Sequence, residues 1–97
     1  MRVEIYSKPD CPLCEEAKRV VRRVQSRIPF QLMEINIEEN RMLSEAFRYE
    51  IPVIFIDGRK AFKHRVGEEE LERRLKRTLG TGVAPMADEV GNKVPKG

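Results

Sequence analysis

The stretch that decides the fold is YSKPDCPLCEEAKRVV, residues 6–21. It holds the only two cysteines of a 97-residue chain, Cys11 and Cys14, where a segment of alternating apolar residues gives way to one with helical periodicity. Proline loses nothing at the first helical position, because its missing N–H would be unpaired there in any case. The sequence therefore predicts a strand up to Tyr6 and a helix that begins at Pro12, with Cys11 as its N-cap.

The segments that follow extend this start into a small α/β domain. Apolar alternation predicts strands over 2–6, 30–37, 53–57 and 60–64, while apolar residues three and four apart predict helices that begin at 12, 38 and 67 and end near 26, 48 and 79. Asp57 and Gly58 predict a tight hairpin turn between the last two strands. The order β-α-β-α-β-β-α predicts an α/β fold, with a four-stranded mixed sheet covered by helices on both faces.

The chain after the last predicted helix has a different composition. Residues 80–97 contain four glycines and two prolines and show no apolar periodicity. Such a segment buries too little apolar surface to offset the entropy of ordering it. We therefore predict one domain over residues 1–79 and a flexible C-terminal tail over 80–97.

Composition and charge argue against several classes of protein. The 19 basic and 16 acidic residues are interleaved and the net charge is only +3, so we do not expect a nucleic-acid partner. No window approaches the roughly 20 apolar residues that cross a bilayer, and the start of the chain lacks the apolar run of a secretory signal. We expect a cytoplasmic monomer without a membrane partner.

The two cysteines are the candidate catalytic residues. In a reducing compartment, a close cysteine pair is more often catalytic or metal-binding than a structural crosslink. Because a helix N-terminus favours a thiolate, we expect Cys11 to be the exposed nucleophile, helped by Lys8 and opposed by Asp10. Cys14 lies one turn inside the helix on its apolar face and is expected to be the shielded resolving thiol. The pair therefore predicts thiol–disulfide exchange through a mixed disulfide on Cys11.

Two other functions stay open at this point. A closed zinc site needs four ligands, and the chain offers two cysteines and a single histidine, so a zinc or iron–sulfur site on these cysteines would require a dimer. That histidine, His64, lies between Lys63 and Arg65 and is interpreted as a surface residue. The other alternative is a non-catalytic adaptor in which the thiols are incidental.

The segment SKPDCPLC resembles the active-site segment of glutaredoxins, in which a lysine precedes a Cys-Pro-aromatic-Cys motif at the start of the first helix. The resemblance covers residues 1–79 and implies a thioredoxin fold. It implies that Cys11 is the nucleophile and Cys14 the resolving thiol. It also implies a surface that binds substrate or glutathione, formed by Lys8, Pro12, Leu13, Ile51, Pro52, Gly67 and Glu68.

Three of these residues carry specific expectations from the resemblance. Lys8 would contact a carboxylate of glutathione. The segment EIPV at 50–53 matches the loop whose cis-proline faces the active site of thioredoxin-fold proteins, so Pro52 is expected to be cis. The backbone of Ile51 would then be free to pair with a bound peptide or glutathione.

The chain also departs from the glutaredoxin pattern. Leu13 replaces the aromatic residue between the cysteines, and HRVGEEEL at 64–71 keeps one glycine, Gly67, where glutaredoxins commonly have two followed by an acidic residue. Glu68 and Glu69 are the candidate replacements for the rest of that motif. We therefore predict a divergent glutaredoxin-like oxidoreductase with no bound cofactor. Its substrates would be disulfides in proteins or small molecules, and its electron donor glutathione or a thioredoxin-reductase-type protein.

Overall fold

Helices and strands alternate in the predicted order. The computed structural model describes residues 1–83, with side chains up to residue 79. Its strands are β1 (Arg2–Ser7), β2 (Gln31–Asn36), β3 (Val53–Ile56) and β4 (Arg59–Lys63), and its helices are α1 (Pro12–Gln25), α2 (Arg41–Phe47) and α3 (Glu68–Val83), with a short 3₁₀ turn at Ile37–Glu39. The predicted α/β class and element order are confirmed.

The four strands form one mixed sheet with the order β2-β1-β3-β4. Strand β2 runs parallel to β1, whereas β3 is antiparallel to both β1 and β4. Asp57 and Gly58 form the two-residue loop between β3 and β4, with φ of 50° and 86°. Positive φ at both loop residues is typical of the type I′ turn, whose twist matches that of the flanking strands. The predicted hairpin is therefore confirmed.

Helices cover both faces of the sheet. One face packs against α1 and α3 in a cluster formed by Val3, Ile5, Ala17, Val21, Val24, Ile28, Ile54, Ile56, Leu71 and Leu75. The neighbouring residue Val53 contributes instead to a smaller cluster with Cys14, Ile37 and Ile51, against which Leu43 and Phe47 of α2 pack. Adjacent residues of β3 thus serve different clusters, as strand geometry requires. The smaller cluster therefore contains Cys14, and Cys11 packs against it.

The second predicted helix, over 38–48, is divided in two. Asn36 Oδ1 accepts the backbone N–H of Glu38 at 2.9 Å and so caps the 3₁₀ turn, and Asn40 Oδ1 accepts the N–H of Leu43 at 3.1 Å and caps α2. An asparagine side chain satisfies an unpaired donor at a helix start, so each one begins a new segment. The division is therefore a local effect of two capping residues.

Helix α3 continues to Val83, four residues beyond its predicted end at Leu79. The predicted end of this helix is therefore four residues too early, while the domain boundary and the flexible tail remain predictions. The rest of the predicted tail, 84–97, lies outside the described residues. Within the part of the chain that the structure describes, no helix is long and apolar enough to cross a membrane.

Candidate active site

Cys11 is the N-cap of α1, as predicted. Its backbone is extended, Pro12 follows at the first helical position, and its Sγ accepts the backbone N–H of Cys14 at 3.3 Å. The first N–H groups of a helix have no partner within the helix, so the sulfur satisfies one of them. Cys11 is partly exposed, so it is also accessible to a substrate.

Cys14 is completely buried in the smaller cluster. Burial raises the pKa of its thiol to about 11, and the interaction with Cys11 acts in the same direction. The backbone N–H of Lys8 and the charge of Lys18 lower the pKa, but by less. Both cysteines are free thiols in this structure. The two sulfurs of one motif therefore occupy opposite environments, one at a polar helix end and one in the core.

The loop before β3 has the expected geometry at its proline. The Ile51–Pro52 peptide bond is cis, and the Pro52 carbonyl accepts the backbone N–H of His64 at 2.8 Å. The expectation that the backbone of Ile51 is free is wrong for its N–H, which donates to the Phe47 carbonyl at 3.0 Å. The carbonyls in the last turn of a helix lack partners within the helix, so the Phe47 carbonyl at the end of α2 is available to accept the Ile51 N–H. The Ile51 carbonyl accepts no hydrogen bond from residues that the structure describes.

A cavity of about 270 Å³ lies beside the cysteine motif, between α1, the end of β4 and the start of α3. It is lined by Leu13, Glu16, Ala17, His64, Arg65, Val66, Gly67 and Glu70. Two predicted binding residues, Leu13 and Gly67, thus line the same cavity although they are 54 positions apart in the sequence. The cavity lining thus combines apolar residues, which include Ala17 and Val66, with the charged side chains of Glu16, Arg65 and Glu70.

Glu68 is directed elsewhere. Its carboxylate lies 3.7 Å from Arg23 of α1 and 3.6 Å from Arg27, which follows that helix, and it does not line this cavity. Glu70 lines the cavity instead, although it is not among the predicted binding residues. The signal was present in the sequence, because Glu70 follows Gly67 by three positions and so lies one turn further along α3.

Lys8 lies on a separate cavity of about 340 Å³, which also contacts Ser7, Pro9, Lys18, Glu34, Ile35 and Asn36. This cavity borders β2, at the edge of the sheet opposite to β4. The structure therefore does not bring Lys8 to the cavity that Leu13 and Gly67 line. Pro12 is exposed at the first helical position beside Cys11.

Among residues 1–83, no group of three or more His, Cys, Asp or Glu side chains could hold a metal ion. His64 in particular is exposed and uses its Nε2 in a 3.1 Å hydrogen bond with the Tyr49 carbonyl. Within these residues, the cysteine pair therefore has no third ligand for a metal ion.

The buried position of Cys14 predicts a strong pH dependence for the step in which it attacks a mixed disulfide. Only its thiolate attacks, and the pKa of about 11 lies far above neutrality. In single-turnover reactions with an aromatic disulfide, we expect the second thiolate release, which reports attack by Cys14, to accelerate about tenfold per pH unit between about pH 7 and 9. A plateau in that phase below pH 8 would contradict the assignment.

A four-stranded mixed sheet, a cis-proline before β3 and a cysteine pair at the start of α1 define the thioredoxin fold. The structure is similar to thioredoxin 1 from Thermosipho africanus, with a TM-score of 0.67, 13% identity, and coverage of 87% of this chain and 100% of that one. It is also similar to the glutaredoxin-like protein NrdH-redoxin from Escherichia coli, with a TM-score of 0.54, 25% identity, and coverage of 77% and 95%.

Sequence comparison narrows the class to a family. Residues 2–76 match the family model described as Glutaredoxin-like domain (DUF836), and the chain belongs to this glutaredoxin-like family. A glutaredoxin-like protein from Dictyostelium discoideum, the YDR286C homolog, is 32% identical over 81% of this chain and 79% of its own length. A thioredoxin from Methanocaldococcus jannaschii is 33% identical over 81% and 96%. Membership in this family supports a redox-type function.

Proposed function

We propose that the protein is a thiol–disulfide oxidoreductase that reduces disulfides through a Cys11–Cys14 dithiol/disulfide cycle. The observation that carries this proposal is the contact between the Cys14 N–H and Cys11 Sγ, 3.3 Å, with the Cys14 side chain fully buried beside it. One thiol is thereby accessible at a helix N-terminus, while the other is shielded from solvent. This division of roles is what a two-step exchange requires.

In the first step the Cys11 thiolate attacks one sulfur of the substrate disulfide, forms a mixed disulfide and releases the other sulfur as a thiolate. In the second step the Cys14 thiol loses its proton to solvent and its sulfur attacks Cys11, which releases the second substrate thiolate. The substrate gains two electrons, and the two cysteines lose them as they form an internal disulfide. An external donor must then reduce that disulfide.

We propose disulfides in proteins or small molecules as substrates and a thioredoxin-reductase-type protein as the preferred donor, with glutathione a slower one. The pairing of Glu68 with Arg23 and Arg27, away from the cavity beside Leu13, supports this order. The similar protein NrdH-redoxin is described as glutaredoxin-like with a thioredoxin-like activity profile, and the Methanocaldococcus relative is named a thioredoxin. We further propose that the protein acts as a monomer in the cytoplasm and without a bound cofactor.

The test is a two-part assay with the purified chain. The reduced protein is first mixed with bis(2-hydroxyethyl) disulfide, and formation of the internal disulfide is followed by mass spectrometry. Turnover with NADPH is then compared between thioredoxin reductase and glutathione with glutathione reductase. We expect an internal disulfide and faster turnover with thioredoxin reductase.

Two results would count against the proposal. Zinc-loaded or coloured protein that forms no internal disulfide would replace the catalytic assignment with the metal-binding one. Turnover with glutathione as fast as that of an orthodox glutaredoxin would overturn the donor preference alone. The Cys14→Ser variant is the matched control, since it cannot complete the cycle without a second external thiol.

A further inference from the structure

A surface of positive charge lies beside the cis-proline loop. It comprises Arg48 and Tyr49, which follow α2, together with Lys63, His64 and Arg65 at the end of β4, and we call it the basic patch. The two segments are joined by hydrogen bonds, from the His64 N–H to the Glu50 and Pro52 carbonyls at 3.1 and 2.8 Å and between His64 Nε2 and the Tyr49 carbonyl at 3.1 Å. The patch is therefore one continuous surface built from two parts of the chain.

Most charges of this patch have no ion-pair partner nearby. Arg48, Lys63 and Arg65 form no ion pair within 4.0 Å among the described side chains, whereas Arg22, Arg23 and Arg27 pair with Glu34, Glu68 and Glu72. The nearby carboxylate of Glu50 pairs with Lys60 at 2.8 Å, and the charge of Lys63 adds to that of Lys60 in lowering its pKa. The basic patch therefore presents net positive charge to solvent.

The patch also carries an exposed aromatic ring. Tyr49 is 81% exposed, and the Arg48 guanidinium lies 4.9 Å from the centre of its ring. An arginine held over an aromatic face and an exposed tyrosine are residues that protein interfaces favour. The feature is thus better suited to a polypeptide than to a simple counter-ion.

The patch adjoins the redox pair. His64 and Arg65 line the cavity that Leu13 of the cysteine motif also lines, together with Glu16 and Glu70. An acidic segment is attracted to Arg65 and repelled by Glu16 and Glu70. The His64 N–H bond to the Pro52 carbonyl connects the patch to the cis-proline loop, so a segment bound to the patch lies beside that loop.

We propose that the basic patch binds an acidic polypeptide segment next to the disulfide of a protein substrate. This inference rests on the proposed oxidoreductase function and adds the chemistry of its preferred substrate. A cationic surface raises the local concentration of an acidic partner and increases its association rate, mainly at low ionic strength. The patch thus sets which disulfides are reduced quickly, while the cysteines perform the exchange.

The test uses three synthetic peptides with the same intrachain disulfide, flanked by Asp and Glu, by Ser and Gln, or by Lys. The second-order rate of reduction by the reduced protein is measured for each under single-turnover conditions. At low salt we expect the acidic peptide to react about tenfold or more faster than the neutral one, because electrostatic steering of this kind raises on-rates by about 10–1,000-fold. The ratio should fall toward one at about 1 M salt, where the screening length is near 3 Å.

Variants with the same change of charge at the two ends of β4 test whether the difference in rate between the acidic and neutral peptides depends on the basic patch. Lys63→Glu in the patch should lower the acidic-to-neutral rate ratio severalfold, and Arg65→Glu should do the same. Arg59→Glu makes the same change of charge at the hairpin turn, at the other end of this strand, and should leave the ratio near the wild-type value. All three positions are exposed, and Lys63→Gln and Arg65→Gln serve where a reversed charge impairs folding.

The outcomes separate this inference from the proposed function. If the wild-type protein reduces none of the three peptides, the oxidoreductase proposal fails. If it reduces all three peptides at equal rates, or if Arg59→Glu lowers the ratio as much as Lys63→Glu, the basic patch is not a docking surface for acidic segments. Stronger inhibition by a thymidine oligonucleotide than by a polyglutamate of equal charge would assign the patch to nucleic acid and overturn the inference.

Discussion

After exposure to oxidised glutathione, the Cys14→Ser variant is expected to carry about one glutathione per chain, whereas the Cys11→Ser variant carries almost none. Cys11 can attack in the first variant because it is partly exposed and caps α1. Cys14 cannot attack in the second, because it is fully buried and its burial raises its pKa to about 11. Intact-mass spectrometry after acid quenching measures both adducts.

The wild-type protein is the control for this experiment. It should form the internal disulfide and retain little adduct, since Cys14 displaces glutathione from Cys11. Reduction of a peptide disulfide should fall to the uncatalysed rate in Cys11→Ser. Equal amounts of adduct on the two variants would contradict the assignment of nucleophile and resolving thiol. An adduct on Cys11→Ser alone would reverse it.

Leu71→Ala is expected to lower the free energy of unfolding by about 2–5 kcal/mol, the usual cost of removing a large buried aliphatic side chain. Leu71 is 0% exposed and lies in the core cluster between the sheet, α1 and α3. Domains of this size have a total stability of only about 5–15 kcal/mol, so the loss is a large fraction of the whole. Urea unfolding followed by circular dichroism measures it.

The same helix provides the matched control. Leu79 lies eight positions further along α3 and is 46% exposed, so Leu79→Ala should change stability by only about 0.5 kcal/mol. Both substitutions remove the same atoms and have the same effect on helix propensity. If the two variants lose equal stability, the packing of α3 against the sheet is not what stabilises this domain.

Much of the fold could be predicted because its signals are local. The start of α1 depends on the fixed φ of Pro12, and the turn between β3 and β4 depends on the tolerance of Asp57 and Gly58 for positive φ. The burial of Cys14 follows from its place on the apolar stripe of a single helix. The division of the second helix at Asn40 was missed, although asparagine as an N-cap is itself a local signal.

The charged residues on α3 show that spacing along a single helix does not by itself predict which ion pairs form. Three acid–base pairs on this helix have i,i+4 spacing, namely Glu69–Arg73, Glu70–Arg74 and Glu72–Lys76. Among the described ion pairs, only Glu72–Lys76 forms, at 3.5 Å. Glu72 also pairs at 3.0 Å with Arg27, just after α1, and Glu68 lies within 4.0 Å of Arg27 and of Arg23 in α1. The packing of α1 beside α3 supplies these partners.

By itself, the sequence determined the order of the elements, the cap at Cys11, the inward position of Cys14 and the turn at Gly58, because each depends on neighbours a few residues away. Only the tertiary structure decided which groups surround the pair. It placed Glu68 beside Arg27, and His64 against the loop that ends in Pro52. These contacts depend on how helices and strands distant in sequence pack, since a backbone donor or a charged side chain pairs with whichever partner the packed elements bring within reach.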